Sequence, residues 1–260
     1  MNLHKQLLTE SDCYHAGRTI TPKGVMIHST GANNPELRRY VAPNDGLLGE
    51  PSLRHWNQPG ISACVHAFIG RLADGSVAAY QTLPWTMRGW HCAGGNKGSG
   101  NNTHISFEIC EDGLEDADYF QAVYRQAVEL TAYLCKEYNL DPLTDGVVIC
   151  HQEGYQHGIA SNHGDVLHWF PNFGKSMNDF RVDVARWIEG EDETMTYEQW
   201  KEYMDRYLAE RAELPASMPK LFAEANELGL TDGTRPMAFV TREESAVMAR
   251  AAAVRKMSNN

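Results

Sequence analysis

The sequence predicts a mixed α/β domain followed by a small all-helical unit. Over the first 190 residues, short apolar runs typical of strands are interleaved with amphipathic stretches typical of helices. Such interleaving favours a central sheet flanked by helices. A polar stretch then precedes three further helical patterns. We therefore expect an α/β domain with a mixed central sheet in residues 1–190 and a small helical domain in residues 191–260.

Five short runs predict the strands of the central sheet, because they are apolar and bounded by turn residues. They cover residues 23–28, 61–69, 76–81, 104–110 and 146–151. The turn signal Ala-Asp-Gly separates the second run from the third. These two strands are therefore expected to pair as a hairpin.

Two helices are expected in the first domain. Apolar residues recur at helical spacing from Phe120 to Tyr138, which predicts a long amphipathic helix over residues 117–138. The acidic residues that precede this stretch suit a helix N-terminus. The pattern over residues 177–190 predicts a second helix, which closes the domain.

Three helical patterns make up the predicted C-terminal domain, beyond a charged linker at residues 190–196. They span residues 197–214, 215–230 and 241–257. Thr241 and Glu244 have the spacing of a capping box, which marks the start of the third helix. We find no catalytic motif in this part of the sequence.

Composition and charge exclude several function classes. A net charge of −11 and a pI near 5.4 argue against a nucleic-acid partner, since backbone binding needs clustered Lys and Arg. No run approaches the ~18 apolar residues that cross a bilayer. The first residues lack a signal-peptide pattern, so we expect cytoplasmic synthesis. The six cysteines show no CxxC pair and are expected to be reduced and buried.

Candidate functional side chains stand at the ends of apolar strands. His28 ends the run KGVMIH, and His151 ends the run GVVICH. Glu108 lies within HISFEIC, where side-chain alternation sets it on the face opposite Phe107. A carboxylate in this position faces either solvent or a catalytic cleft, where it would serve as a general base.

The stretch 152–170 after His151 is expected to be a loop and contains Asp165, His157, His163 and His168. Two imidazoles and a carboxylate can hold Zn²⁺ and leave one coordination position for water. Structural zinc sites usually close with four protein ligands, often including Cys, and this loop has no Cys. The pattern therefore favours an open zinc site and metal-assisted hydrolysis.

Several segments together resemble zinc-dependent N-acetylmuramoyl-L-alanine amidases, which share a fold with the peptidoglycan recognition proteins and include many phage endolysins. The segments are IHST, SACVHAFIGRLADGSV, GWHCAGG, ISFEIC, CHQEGY and SNHGDVLHW, in that order. The resemblance covers roughly residues 15–190. It implies hydrolysis of the amide bond between N-acetylmuramic acid and L-alanine in bacterial peptidoglycan, by a phage or prophage endolysin that acts on the wall after release.

The resemblance also implies roles for individual residues. His28 and His151 match the two metal histidines of the family, and Asp165 matches the third ligand. Glu108 matches the catalytic glutamate. His163 stands where relatives often have a lysine that supports the oxyanion, and it is the alternative third ligand.

Three further residues resemble positions that line the family's substrate cleft. They are His66, Trp90 and His91. His66 could equally be a structural histidine, since it lies within the apolar segment SACVHAF.

Other functions remain open at this point. A non-catalytic peptidoglycan-binding module would keep the fold, and a bacterial autolysin or a cell-wall recycling amidase would keep the chemistry. Residues 223–252 resemble, more weakly, a single surface-layer-homology-like repeat. The C-terminal domain is thus expected to contact wall polymers, to mediate self-association or to cap the enzyme.

Overall fold

The computed structural model divides the chain into two compact units, Met1–Asp192 and Glu193–Asn260. The residues that it describes are 1–42, 45–50, 52–190, 197–231, 233–235, 237–238 and 245–250.

A six-stranded mixed sheet forms the centre of the first unit. Its strands are β1 (Leu3–Lys5), β2 (Gly24–Ser29), β3 (Ala67–Arg71), β4 (Val77–Gln81), β5 (His104–Ile109) and β6 (Val148–Cys150), in the order β1-β4-β3-β5-β2-β6. Strands β3 and β4 pair as the expected antiparallel hairpin. Four neighbours, β3, β5, β2 and β6, run parallel, so their C-terminal ends meet at one edge of the sheet. The predicted fold class is confirmed.

Four α-helices accompany the sheet: α1 (Asp12–Ala16), α2 (Ala117–Tyr138), α3 (His151–Gln156) and α4 (Met177–Glu189). The two helices predicted in this unit are confirmed to within one residue. Helix α2 begins at an N-cap, Asp116, whose side chain accepts a hydrogen bond from the Tyr119 N–H at 3.0 Å. It ends where Asn139 takes the left-handed conformation, with φ 53°.

The two faces of the sheet are covered differently. Val25, Ile27 and Phe107 lie in the largest apolar cluster, together with side chains of α2 and α4, and we call this the helix-covered face. Met26 and Phe68 point to the opposite side, where side chains from irregular segments and short helical turns pack against them. We call that side the loop-covered face. Alternation along each strand therefore directs His28 and Glu108 to the loop-covered face.

Several boundaries differ from the prediction. The run 61–69 is a strand only from Ala67, because its first residues bind α1 instead, with the Asp12 N–H donating to the Ile61 carbonyl at 3.1 Å. Strand β6 ends at Cys150, and His151 is the first residue of α3. The expected loop 152–170 therefore contains most of α3 and the 3-10 helix Asp165–His168, and a second 3-10 helix, Phe170–Phe173, begins at its last residue. The sequence patterns did not indicate β1 or α1.

The second unit contains α5 (Tyr197–Ala212), α6 (Pro219–Glu227) and a helical stretch over residues 245–250. The linker residues 191–196 and the predicted capping box of Thr241 and Glu244 lie outside the described residues. Among the helices that are described, none is long and apolar enough to cross a membrane. The six cysteines are buried free thiols in the described part of the chain, as expected.

Candidate active site

Three side chains from distant parts of the sequence converge at the C-terminal edge of the parallel strands. His28 is the second-last residue of β2, His151 begins α3, and Asp165 begins the 3-10 helix after it. One ligand atom from each residue lies within 4.8 Å of the other two. Asp165 Oδ2 is 2.9 Å from His151 Nδ1 and 3.3 Å from His28 Nδ1. The structure thus brings together the three residues that the sequence suggested as metal ligands.

Both imidazoles point Nδ1 into this group and anchor Nε2 elsewhere. His28 Nε2 is 2.9 Å from His91 Nδ1, and His151 Nε2 is 3.2 Å from Ser161 Oγ. The second ring nitrogen of a metal-binding histidine is usually hydrogen-bonded in this way, which fixes the orientation of the ring. His28 is only 1% exposed, and burial lowers its pKa below the ordinary value, so its imidazole is neutral and can offer a lone pair.

The Asp165 backbone adopts an uncommon conformation with φ 44°. Asp tolerates the left-handed region better than most residues, yet this conformation still carries strain. Burial opposes ionisation of the carboxyl, but hydrogen bonds from His151 and His28 outweigh it and lower the pKa of Asp165 below the ordinary value. The tertiary structure therefore presents an ionised carboxylate between two imidazoles.

Glu108 lies beside His28, because β2 and β5 pair in parallel register with these two residues opposite each other. Neighbouring strands are roughly 4.8 Å apart, so both side chains stand together on the loop-covered face. Within the described part of the chain, Glu108 Oε2 is buried and has no hydrogen-bond partner. Burial, and then the nearby Asp165 and Glu111 carboxylates, raise the pKa of Glu108 well above the ordinary value.

The donor set fits Zn²⁺. Two neutral imidazoles and one carboxylate are the ligands of open catalytic zinc sites, whose ligand atoms lie roughly 3.4 Å apart for bonds of about 2.1 Å. The two separations from Asp165 Oδ2, 2.9 and 3.3 Å, are close to that value, and all three ligand atoms lie within 4.8 Å of one another. The unpartnered oxygen of Glu108 next to the group adds an acceptor for a proton. These residues could therefore hold a zinc ion and still leave one position open.

His163 lies beside the site rather than within the converging group. Its side chain is exposed, and its ring centroid is 4.9 Å from that of His151. The three converging ligand atoms include Asp165 and not His163. The geometry therefore favours Asp165 as the third ligand and leaves His163 free to act on a substrate.

The three expected cleft residues have different surroundings. His66 is 0% exposed; its Nε2 is 2.7 Å from the Met87 carbonyl, and its Nδ1 accepts from the Ser106 N–H at 3.0 Å. This geometry favours the structural alternative for His66, since a substrate could not reach the ring in the folded chain. Trp90 is 45% exposed, with the Arg88 guanidinium 5.3 Å from its ring, and remains accessible to a ligand.

His91 contacts a ligand residue rather than an open cleft. Its ring is edge-on to the His28 ring, with centroids 5.0 Å apart. Burial, followed by the neighbouring His28, lowers the pKa of His91 well below the ordinary value. A substrate contact by His91 stays a prediction, while its hydrogen bond to His28 is a feature of the fold.

Sequence reasoning did not single out several residues that support the site. Ser161 binds His151, and Asn101 binds the backbone at His91, where the His91 N–H donates to Asn101 Oδ1 at 2.7 Å. Glu111 is buried, with Oε1 3.1 Å from His168 Nε2. The sequence offered few signals for these residues. Asn and Ser are common in loops, and only the fold shows which of them reach the site.

The part of the chain that contains this site is similar to known proteins. A model of the N-acetylmuramoyl-L-alanine amidase family matches residues 18–171, which include all the residues that converge at the site. The N-acetylmuramoyl-L-alanine amidase CwlH of Bacillus subtilis (strain 168) is 29% identical over 140 residues, or 54% of this chain and 49% of CwlH. The chain therefore spans about half the length of the curated relative that it matches.

Solved structures show the same fold at low sequence identity. The Staphylococcus aureus hydrolase AmiA aligns with a TM-score of 0.54 and 16% identity, over 72% of this chain and 83% of AmiA. PlyL aligns with a TM-score of 0.50 and 22% identity, over 71% of this chain and 97% of PlyL. The PlyG catalytic domain aligns with a TM-score of 0.50 and 23% identity, over 72% of this chain and 96% of that domain.

Proposed function

Because this chain belongs to the N-acetylmuramoyl-L-alanine amidase family, we propose that it hydrolyses the amide bond between N-acetylmuramic acid and L-alanine in peptidoglycan, with Zn²⁺ as cofactor. One observation carries the proposal: His28, His151 and Asp165 meet at the sheet edge with Glu108 alongside. This set supplies both a cation site and a proton acceptor, which are the two requirements of metal-assisted amide hydrolysis.

His28 Nδ1, His151 Nδ1 and Asp165 Oδ2 would hold the cation. When bound, Zn²⁺ supplies a Lewis acid that polarises a carbonyl and lowers the pKa of water. The side chains orient the metal ligands and transfer the proton. The hydrogen bonds of His28 to His91 and of His151 to Ser161 keep both imidazoles oriented.

Glu108 acts as the general base and acid in this proposal. Its Oε2 takes a proton from the attacking water and then delivers it to the leaving nitrogen of L-alanine. Burial favours the neutral carboxyl, whereas a neighbouring cation favours the carboxylate. Because these two influences oppose each other, Glu108 can first accept a proton and later donate it.

In this proposal His163, whose exposed ring lies 4.9 Å from that of His151, donates a hydrogen bond to the oxyanion. One well-placed donor of this kind is worth roughly 3–4 kcal/mol in the transition state. Trp90 offers an accessible aromatic surface for the sugar or peptide.

The direct test is a digest of purified peptidoglycan followed by mass spectrometry of the products. We expect new peptides that begin with a free L-alanine amine, released from intact glycan strands. Glu108→Gln should abolish their release while zinc content is unchanged. Glu137→Gln makes the same change on the exposed surface of α2 and should leave activity intact.

The same experiment separates the amidase from a non-catalytic binder. A protein that sediments with peptidoglycan but releases no L-alanine termini would be a binding module, and the hydrolase proposal would fail. Release of products with free sugar reducing ends would instead indicate a glycosidase.

We further propose that the enzyme acts as a phage or prophage endolysin. Intact sacculi distinguish this role from wall recycling, since an endolysin must cleave the assembled polymer. If whole sacculi lose turbidity as readily as soluble muropeptides are cleaved, the enzyme is lytic, as an endolysin or an autolysin is, and is not a recycling amidase. Activity confined to soluble fragments would favour a recycling amidase.

For the second unit we propose contact with a wall polymer. Residues 223–252 resemble a surface-layer-homology-like repeat, and this region includes the second half of α6 and the helical stretch 245–250. Co-sedimentation of the full chain with walls, before and after removal of secondary polymers, tests this idea. Unchanged binding after removal would contradict it, and concentration-dependent sedimentation of the free protein would favour self-association instead.

A further inference from the structure

We infer that His91 is a positioning residue that presents His28 to the cation, and that cation binding changes the tautomers of both rings. This inference rests on the cation site of the proposed function and is independent of the substrate. It goes beyond the expected cleft-lining role of His91. The observations that carry it are a hydrogen bond between the buried ring of His28 and the half-buried ring of His91, and the way in which His91 is held.

The segment that carries His91 is fixed by Asn101, which is 0% exposed. Asn101 Oδ1 accepts from the His91 N–H at 2.7 Å and from the Cys92 N–H at 3.2 Å, and its Nδ2 donates to the Ala93 carbonyl at 2.8 Å. A buried amide with all of these partners holds the backbone rigidly. His91 therefore offers its Nδ1 to His28 from a fixed position.

The hydrogen bond between His28 Nε2 and His91 Nδ1 is 2.9 Å long, so one nitrogen must carry the proton and the other must accept it. Without a cation, His28 Nδ1 donates to Asp165 Oδ2 at 3.3 Å, and His28 Nε2 is then the acceptor. His91 Nδ1 must therefore be the donor. This leaves His91 Nε2, which is buried and unpartnered among the described residues, without a proton.

A cation at the site requires the opposite arrangement. The lone pair of His28 Nδ1 then faces the ion, so the ring proton of His28 must lie on Nε2. That N–H donates to His91 Nδ1, and the proton of His91 must lie on Nε2. The proton of His28 Nδ1 leaves to solvent, the proton of His91 Nδ1 moves to His28 Nε2, and His91 Nε2 takes up a proton from solvent. Each ring therefore carries one proton before and after the change. The pair differs only in which nitrogen of each ring holds its proton.

The second ligand histidine is built differently. His151 Nε2 lies 3.2 Å from the Ser161 hydroxyl, which can donate or accept by rotating. His151 can therefore change tautomer without any change in a second ring. The contrast provides a matched control, because Ser161→Ala removes a flexible partner and His91→Ala removes a rigid one.

The first experiment measures zinc affinity of the full chain by competition with a chromophoric chelator. We expect His91→Ala to weaken zinc binding about 10- to 100-fold, the range seen when a partner of a metal ligand is removed. His91→Asn should retain most of the affinity, because the Asn oxygen takes the place of Nδ1 as acceptor. Ser161→Ala should have a smaller effect than His91→Ala.

Two results would overturn the positioning role. One is wild-type zinc affinity in His91→Ala, and the other is an equal loss in His91→Ala and His91→Asn, which would show that only ring shape matters. Circular dichroism checks that each variant is folded. If His91→Ala does not fold, the comparison of His91→Asn with wild type and the following measurement decide the question.

The second experiment determines the tautomers directly in the wild-type protein, from long-range ¹H–¹⁵N correlations of the imidazole rings. We expect the proton of His91 on Nδ1 in the metal-free protein and on Nε2 after addition of zinc. The same tautomer in both states would overturn the tautomer change. A wild-type protein that binds no zinc would overturn the whole inference.

Failure of the inference and failure of the proposed function give different results. If His91→Ala weakens zinc binding but the wild type releases no L-alanine termini, the inference stands and the amidase proposal fails. If the wild type cleaves peptidoglycan but the His91 variants bind zinc normally, the amidase stands and the positioning role fails.

Discussion

The two faces of the central sheet differ in chemistry although they share the same strands. The helix-covered face presents Val25, Ile27 and Phe107 to α2 and α4 and is apolar throughout its centre. The loop-covered face carries His28 and Glu108 in the same strands. Polar groups at such positions are costly unless they are paired. The difference indicates that one face supplies stability, and the other gives up some stability for a reactive site.

The residues Phe107 and Glu108 offer the sharpest test of this comparison, since they are neighbours in β5 and point to opposite faces. If the faces divide stability from chemistry, substitution of one residue should change the free energy of unfolding and substitution of the other should change turnover.

Glu108→Gln should lower the turnover number on peptidoglycan about 10²- to 10⁴-fold, the usual contribution of a general base. This corresponds to about 3–5 kcal/mol in the activation barrier. The free energy of unfolding should change by less than about 1.5 kcal/mol, because Gln has the same shape and burial already disfavours the charged form of the Glu108 carboxyl. Steady-state kinetics and urea unfolding measure the two effects. A large loss of stability would show that Glu108 supports the fold.

Phe107→Ala should show the reverse pattern. The ring is 0% exposed on the helix-covered face, so its removal should lower the free energy of unfolding by about 3–5 kcal/mol. The turnover number of the folded fraction should stay within a few-fold of wild type, measured well below the midpoint of thermal unfolding. If the turnover number of Phe107→Ala falls as far as that of Glu108→Gln, the two faces do not divide stability from catalysis.

His66 tests whether the buried polar groups of the loop-covered face carry a stability cost. Burial lowers the pKa of His66 from 6.5 to about 4. Between these values the unfolded chain binds a proton that the folded chain does not, so stability falls as the pH drops from 6.5 to 4. The loss attributable to His66 is about 3 kcal/mol, at roughly 1.4 kcal/mol per pH unit.

His66→Gln should reduce this acid-induced loss, measured by urea unfolding at several pH values between 7 and 4. Gln can retain a hydrogen bond to the Met87 carbonyl but does not titrate. His28, His91 and His104 also have lowered pKa values and will contribute in the same direction, so the relevant quantity is the difference between variant and wild type. An unchanged pH profile would mean that His66 is not buried as a neutral ring.

Asp116→Ala should have the smallest effect. It removes the N-cap of α2 and should lower the free energy of unfolding by about 1 kcal/mol, with turnover unaffected. Glu115→Ala, one residue earlier and exposed, is the control and should have a smaller effect. Equal effects of the two substitutions would show that charge near the helix end, rather than the cap itself, is responsible.

Local sequence patterns predicted most of the secondary structure of the first unit. Helix α2 was predicted at its observed bounds, because 3.6-residue periodicity and an acidic start are local features. The faces of Phe107 and Glu108 followed from strand alternation in the same way. Strand β1 has only three residues and gave no comparable signal, since its pairing with β4 depends on chain about 75 residues away.

The candidate ligands His28, His151 and Asp165 could be named from the sequence. Histidines at the ends of apolar runs, and a loop that contains several histidines and an aspartate, are local features. The folded chain shows that Asp165, rather than His163, converges with the two imidazoles, which the sequence left open. The folded chain also shows that His66 is buried with its ring hydrogen-bonded to the Met87 carbonyl, and that His91 is hydrogen-bonded to His28. These outcomes depend on contacts between distant segments, and no local pattern records which side chains a folded chain brings within 3 Å.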